Sequence, residues 1–287
     1  MSGLRYLITG AGGMLGTDLG VALAGRDVTA LTRSQLDITS MDAVRSTLAG
    51  HDVIINAAAY TKVDEAETHE AEAAMINAVG AANLARVAAE NGSTVVQLST
   101  DYVFSGTGTG PYAEDAQTSP RSAYGRTKAD GERRVLDANP DATFIVRTAW
   151  LYGEHGPNFA KTMLALGSRR PEVSVVTDQI GQPTWTLDLA HQIVRLLDSD
   201  APFGIYHGTS SGEASWFDFA QGVFELGGLD PENVKPTTSA EFVRPAPRPA
   251  NSVLGHDAWA EAGLAPIRDW REALVDAFDS GALRPSA

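Results

Sequence analysis

Apolar residues in the first half of the chain alternate between two spacings. Short, nearly unbroken runs occur at Leu4–Thr9, Asp27–Leu31, Asp52–Asn56, Thr94–Ser99 and Thr143–Arg147, the pattern of strands covered on both faces. Helical spacing fills the intervals at Met14–Ala24, Met41–Leu48, the alanine-rich Glu70–Asn91 and Ser122–Asn139. Asn91-Gly92 supplies a helix C-terminus, and Pro140 ends the last helix because it pushes the preceding residue out of helical backbone. Strands and helices in alternation predict an α/β fold, a doubly wound parallel sheet with helices on both faces.

Beyond Trp150 the pattern loosens. Helices are predicted at Asn158–Leu166, Leu187–Leu197, Ser215–Leu226 and Asp269–Phe278, with strands at Val173–Val176 and Gly204–His207. The segment Phe242-Val-Arg-Pro-Ala-Pro-Arg-Pro249 cannot enter a regular helix or a central strand, because its prolines lack N–H donors.

Composition narrows the class without choosing a chemistry. The 287 residues are 43% hydrophobic and 20% charged, as in ordinary globular proteins, and include no cysteine. Disulfides, thiolate metal sites and cysteine nucleophiles are thereby excluded. No apolar run is long enough to span a membrane, and the N-terminus runs into a strand rather than a signal-peptide core, so a cytoplasmic protein is expected. A net charge of −14 opposes binding to nucleic acid or to an anionic membrane. It leaves room for a small anion held by a local arginine or a helix start.

Chemistry enters at the first strand–helix junction, Thr9-Gly-Ala-Gly-Gly-Met-Leu-Gly16. Gly10, Gly13 and Gly16 permit a tight turn, close approach of a pyrophosphate to the backbone, and close helix–strand packing. The turn predicts a Rossmann-type dinucleotide-binding domain over residues 1–150. No acid follows the second strand in Ala30-Leu-Thr-Arg-Ser34. Arg33, assisted by Ser34, suits a 2′-phosphate, which favours NADPH and leaves NADH open. Asp37 suits either a contact with adenine or the cap of the next helix. Ala57, Ala58 and Ala59 leave space for a flat cofactor beyond the third strand.

Tyr124 and Lys128, four apart on a predicted helix, share one face. A free phenol has a pKa of about 10, and a neighbouring ammonium lowers it. Ser99 and Thr100 end the fourth strand at its carboxyl edge, where doubly wound sheets bind ligands.

Glycine turn, strand-end hydroxyl and Tyr-x-x-x-Lys stand in the order of the extended short-chain dehydrogenases/reductases, which the chain resembles throughout. Seven segments narrow the likeness: Asn56-Ala-Ala-Ala-Tyr-Thr-Lys-Val-Asp-Glu-Ala-Glu67, Ser99-Thr-Asp-Tyr-Val-Phe-Ser-Gly106, Tyr124-Gly-Arg-Thr-Lys128, Arg147-Thr-Ala-Trp-Leu-Tyr152, Asn158-Phe-Ala-Lys-Thr-Met163, Asp178-Gln-Ile-Gly-Gln-Pro-Thr184 and Arg248-Pro-Ala-Asn-Ser252. In these the chain resembles the dTDP-4-dehydrorhamnose reductases. The resemblance implies NAD(P)H-dependent reduction of the 4-keto group of dTDP-4-dehydro-L-rhamnose. It implies Tyr124 as proton donor to the C4 oxygen, Lys128 on the nicotinamide ribose, and Thr100 as the hydroxyl that tunes the acid and orients the carbonyl. Asp101, Tyr102 and Trp150 are expected to line the sugar pocket, and Arg248 to meet the diphosphate, with Arg244 a second candidate. Met14, Leu15, Ile38 and Leu98 complete the expected cofactor set.

Residues 151–287 are expected to form a smaller C-terminal substrate-binding α/β region, with segments around 178–210 returning to the first domain. Some members of the family dimerise through magnesium. Asp18 matches one acidic position, but Leu187 stands where a glutamate is needed. No metal is therefore expected, and a monomer or weak homodimer. The rival readings are a reductase of another dTDP-4-keto sugar, such as a dihydrostreptose synthase, and a non-catalytic NADP-binding regulatory subunit. Intact Thr100, Tyr124 and Lys128 oppose the latter.

Overall fold

The computed structural model describes residues 3–284. Its centre is a six-stranded sheet of β1 (Arg5–Thr9), β2 (Asp27–Leu31), β3 (Val53–Asn56), β4 (Thr94–Thr100), β5 (Thr143–Thr148) and β6 (Gly204–His207). Across the sheet the order is β6-β5-β4-β3-β1-β2, and every pair is parallel. The chain starts one strand in from an edge, runs outward to β2 at that edge and crosses back to β3. The direction of winding thus reverses between β1 and β3, and in such sheets a ligand crevice opens there.

Successive side chains of a strand point to opposite faces, and here both faces are covered, so both sets are apolar. On one face, Leu15 and Leu19 of the Met14–Ala22 helix and Leu189, Ile193 and Leu196 of the Thr186–Leu197 helix pack on Tyr6, Ile8, Val96 and Val146. On the other, Val44, Leu48, Leu84, Ala88 and Val135 cover Leu7, Ile54, Val95 and Ile145. Trp259 and Ile267, from near the end of the chain, join the first face. No local pattern announced that return.

A second core gathers Tyr152, Met163, Val175, Trp185, Phe219, Phe224, Trp270 and Leu274. Its strands are short. Val173–Val176 pairs with Val234–Thr237, Leu151–Tyr152 with Thr184–Trp185, and Ile180–Gly181 with Ala214–Ser215. The Trp216–Leu226 helix starts at a capping box between Ser215 and Asp218. Among the described residues no helix is long and apolar enough to cross a membrane.

One predicted helix is broken. Glu70–Asn91 divides into Glu70–Ala74, a π-helical Met75–Gly80 and Ala81–Asn91. The alanine-rich pattern runs on through the wider turn, so spacing alone does not register it. Contacts around Asn77 explain it. The Asn77 amide accepts from Tyr60 N at 2.8 Å and donates to Tyr60 O at 3.2 Å and to Thr127 Oγ1 at 3.0 Å. Gly131 of the Ala123–Ala138 helix comes so near that a Cβ there would lie 2.2 Å from Asn77 O.

Candidate active site

After β1 the chain turns at Gly10 with φ +69°, a conformation glycine adopts at little cost. Space also forbids a side chain. A Cβ on Gly10 would lie 2.6 Å from Ala58 N, and one on Gly16 2.3 Å from Gly10 O. The turn thus lies directly against the Ala57–Ala59 segment. No side chain caps the Met14–Ala22 helix at Gly13, so its first amides carry partial positive charge toward the turn. This cradle fits a dinucleotide pyrophosphate.

Arg33 and Ser34 are exposed on the turn after β2, with Ser34 Oγ 3.0 Å from Thr32 Oγ1. Asp37 Oδ1 accepts from Thr39 N at 2.9 Å and from the Thr39 hydroxyl at 2.7 Å. Those bonds hold its carboxyl below the usual range. Ser40 caps the next helix, so of the two roles open to Asp37, the cap belongs to Ser40. Met14 is partly exposed, whereas Leu15, Ile38 and Leu98 bury their side chains in the core.

The reacting groups stand at the carboxyl end of β4. Thr100 donates to Asp101 Oδ1 at 2.9 Å and accepts from Tyr102 N at 3.3 Å. Tyr124, on the second residue of the Ala123–Ala138 helix, packs edge-on against Tyr102 with ring centroids 5.7 Å apart. Gly125 lets the helix approach, since a Cβ there would lie 2.2 Å from Tyr102 O. Burial pushes the Tyr124 phenol up to about 12, while the Thr100 hydroxyl pulls it down and the Asp101 charge adds to the rise. Burial likewise brings Asp101 up to about 6, against the hydrogen bond from Thr100. Ser99 Oγ and Asp101 Oδ2 are buried without a hydrogen-bond partner.

Lys128 is buried, and its ammonium donates to the Leu98 carbonyl at 2.6 Å. Burial lowers its pKa to about 8, opposed by the Glu132 carboxylate one turn on. Glu132 is in turn paired with buried Arg147 at 2.8 Å. Sequence reasoning passed over Asn77, which fixes the backbone of Tyr60 beside the alanines, and Gln97. The signal for Gln97 was present: one amide inside the apolar run Val95-Val-Gln-Leu98.

On the substrate side, Trp150 has φ +48°, the one non-glycine residue with positive φ among those described. Backbone held in this region carries strain that the surroundings must enforce. Here its indole stacks on Trp216 with centroids 3.6 Å apart and rings 8° from parallel. Gly181 leaves room for it, since a Cβ there would lie 2.6 Å from the indole. Arg248 pairs with Asp64 at 2.9 Å, and Arg244 Nη1 stands 4.0 Å from the same carboxylate. A small, partly open cleft runs between Tyr102, Arg121, Ser122 and Arg248. Arg121 is exposed at this cleft and was not among the expected residues. Asp18 is buried, with His155 Nε2 at 3.7 Å, and burial raises its carboxyl against a bond from Thr186.

The model of the family described as RmlD substrate binding domain matches residues 4–282. A "Probable dTDP-4,6-dihydroxy-2-methyloxan-3-one 4-ketoreductase" of Streptomyces antibioticus is 54% identical over 96% of this chain and 95% of its own length. A "dTDP-4-dehydrorhamnose reductase" of Streptomyces griseus is 50% identical over 96% and 93%. Among solved structures, the dTDP-4-dehydrorhamnose reductase of Bacillus anthracis in complex with NADP superposes with a TM-score of 0.94. It is 39% identical, over 98% of this chain and 100% of that one.

Proposed function

The chain belongs to the RmlD substrate binding domain family, that of the dTDP-4-dehydrorhamnose reductases, and we propose that it reduces the 4-keto group of dTDP-4-dehydro-L-rhamnose with NADPH to give dTDP-L-rhamnose. One observation carries the reading: Thr100, Tyr124 and Lys128 stand together at the carboxyl end of β4 and its covering helix, in a sheet whose glycine turn admits a pyrophosphate.

NADPH, when bound, supplies the hydride to C4. Tyr124 gives the proton to the C4 oxygen. Its raised pKa keeps the phenol loaded at neutral pH, which suits an acid in the reductive direction. Thr100, its one proton turned from Asp101 to the same oxygen, orients the carbonyl. Lys128 holds the nicotinamide ribose through the donors that Leu98 leaves free. Trp150 is the apolar wall against the sugar ring, and Asp101 and Tyr102 line the pocket floor. Arg248 meets the diphosphate, and Arg121, across the cleft, adds a second cation. These local charges offset the net −14 of the chain. Gly10, Gly13, Gly16, Met14, Leu15, Ala57, Ala58 and Ala59 form the cofactor bed, with Arg33 and Ser34 on the 2′-phosphate. Leu187 offers no ligand beside Thr186, the neighbour of Asp18, so a monomer or weak homodimer without a bridging metal belongs to this reading.

A second reading differs in the sugar. A relative at 54% identity is named for a different 4-keto substrate. The test is NADPH oxidation with dTDP-4-dehydro-L-rhamnose and with other dTDP-4-keto-6-deoxy sugars, products identified by mass spectrometry and NMR. Turnover of the first above the rest is expected, and turnover of none defeats both readings. Arg33→Ala should raise KM for NADPH about tenfold and that for NADH little; equal losses remove Arg33 from the 2′-phosphate.

A further inference from the structure

Three buried polar side chains cross the sheet below the site. Thr9 and Asn56 end β1 and β3, Gln97 lies midway along β4, and the three are in register, Thr9 opposite Asn56 and Asn56 opposite Gln97. Thr9 Oγ1 donates to Asn56 Oδ1 at 2.6 Å, Asn56 Nδ2 to Gln97 Oε1 at 2.7 Å, and Gln97 Nε2 to the Leu98 carbonyl at 2.7 Å. Ala58 N also donates to Asn56 Oδ1, at 3.2 Å. That backbone donor fixes which end of the Asn56 amide is oxygen, and through it the orientation of Gln97. The ladder ends where Lys128 begins, because the Lys128 ammonium donates to the same Leu98 carbonyl at 2.6 Å.

The location of this carbonyl explains the need for side-chain partners. β3 stops at Asn56 opposite Gln97, while β4 continues through Thr100 with only β5 beside it. A carbonyl has two lone pairs; Gln97 takes one and Lys128 the other. A buried amide left without its partner costs free energy, so a satisfied chain of this kind has one arrangement.

We propose that Gln97 is a positioning residue for the reduction: through the Leu98 carbonyl it fixes where the Lys128 ammonium stands and where its remaining donors point. Asn56 and Thr9 fix Gln97 in turn, so the phosphate-binding turn and the lysine are parts of one hydrogen-bonded unit. The inference rests on the proposed function only in placing Lys128 against the nicotinamide ribose.

The experiment is a double-mutant cycle. Gln97→Met keeps the shape and removes the amide, and Lys128→Met removes the ammonium. Two quantities are read in each variant: the NADPH dissociation constant by fluorescence titration, and kcat with the 4-keto sugar. Gln97→Met should weaken NADPH about fivefold and lower kcat about tenfold, with KM for the sugar unchanged. In the Lys128→Met background the same change should cost less than about twofold in each. Equal losses in both backgrounds mean a general structural role and overturn the proposal, as does a Gln97→Met protein with unaltered NADPH affinity and kcat. If Gln97→Met does not fold, Gln97→Asn, whose amide is withdrawn by one methylene, carries the same cycle. Failure of the proposed function itself would show differently, as an unaltered chain that binds NADPH and turns over no 4-keto sugar.

Discussion

Thr100, Tyr124 and Lys128 stand on one strand end and one helix turn, packed into the main sheet. Trp150, Arg248 and Arg121 stand on segments that join no regular element of that sheet. The first set is fixed by backbone: β4 pairs with β3 over Thr94–Gln97 and with β5 over Val95–Thr100, and Gly125 and Gly131 let the Tyr124 helix sit close. The second set is fixed by side chains. Trp150 is held by its stack on Trp216, and Arg248 by Asp64. The difference separates two tasks. A proton donor must be placed to a fraction of an ångström and desolvated, which a sheet edge does well. Recognition of a sugar nucleotide needs groups that vary among substrates, and loops permit that variation.

The sharpest way to break this contrast is at the acid. Tyr124→Phe should lower kcat about a thousandfold while NADPH affinity, measured by fluorescence titration, stays nearly intact. Substantial residual turnover would remove Tyr124 as the donor. Arg248→Ala should raise KM for the dTDP-sugar about 10- to 100-fold with kcat largely retained, the loss of one charge-assisted contact. A fall confined to kcat would place Arg248 with the chemistry instead.

Asp101 sharpens the comparison from the stability side. Its carboxyl is raised from 3.8 to about 6 by burial. Between those values the folded state keeps a proton that the unfolded chain has lost, so stability falls as pH rises through this window and stays lower above it. Asp101→Asn, which retains an acceptor for Thr100, should therefore stabilise the protein at pH 8 by up to about 3 kcal/mol. Denaturant titrations at pH 8 and pH 4 check this, and the gain should vanish at the lower value.

The smallest effect is a pH profile. Lys128 is lowered to about 8, and its charged form is the one that binds ribose. With Tyr124 loaded up to about 12, kcat/KM for NADPH should be level below pH 8 and fall roughly tenfold per unit above it. A profile flat to pH 10 would show that the ammonium is not required.

Local pattern carried much of the first region. Val53–Asn56 and Thr94–Thr100 read as strands because apolar runs bounded by turn residues leave few alternatives, and Gly10 and Gly16 read as a turn because nothing larger fits. The π-helical Met75–Gly80 did not show, since its cause is the contact of Asn77 with Tyr60 and Gly131. Val234–Thr237 did not show either, because its partner Val173–Val176 lies far back in the chain and Pro236 disguises it as a loop. Arg121 stayed silent for a related reason: an exposed arginine before a helix looks the same whether or not a second arginine faces it across a cleft.

By itself, the order of residues determined the alternating layers, the glycine turn and the spacing that sets Tyr124 above Lys128, because these follow from backbone geometry over a few positions. Only the tertiary structure decided that Lys128 meets the Leu98 carbonyl, that Gln97 shares it, that Asp64 holds Arg248, and that Trp259 covers the sheet. All but the bond of Gln97 to its neighbour Leu98, which Asn56 orients from β3, join residues distant in the chain or on different elements. Burial then determines which of these groups keep their charge, and burial is a property of the packed whole.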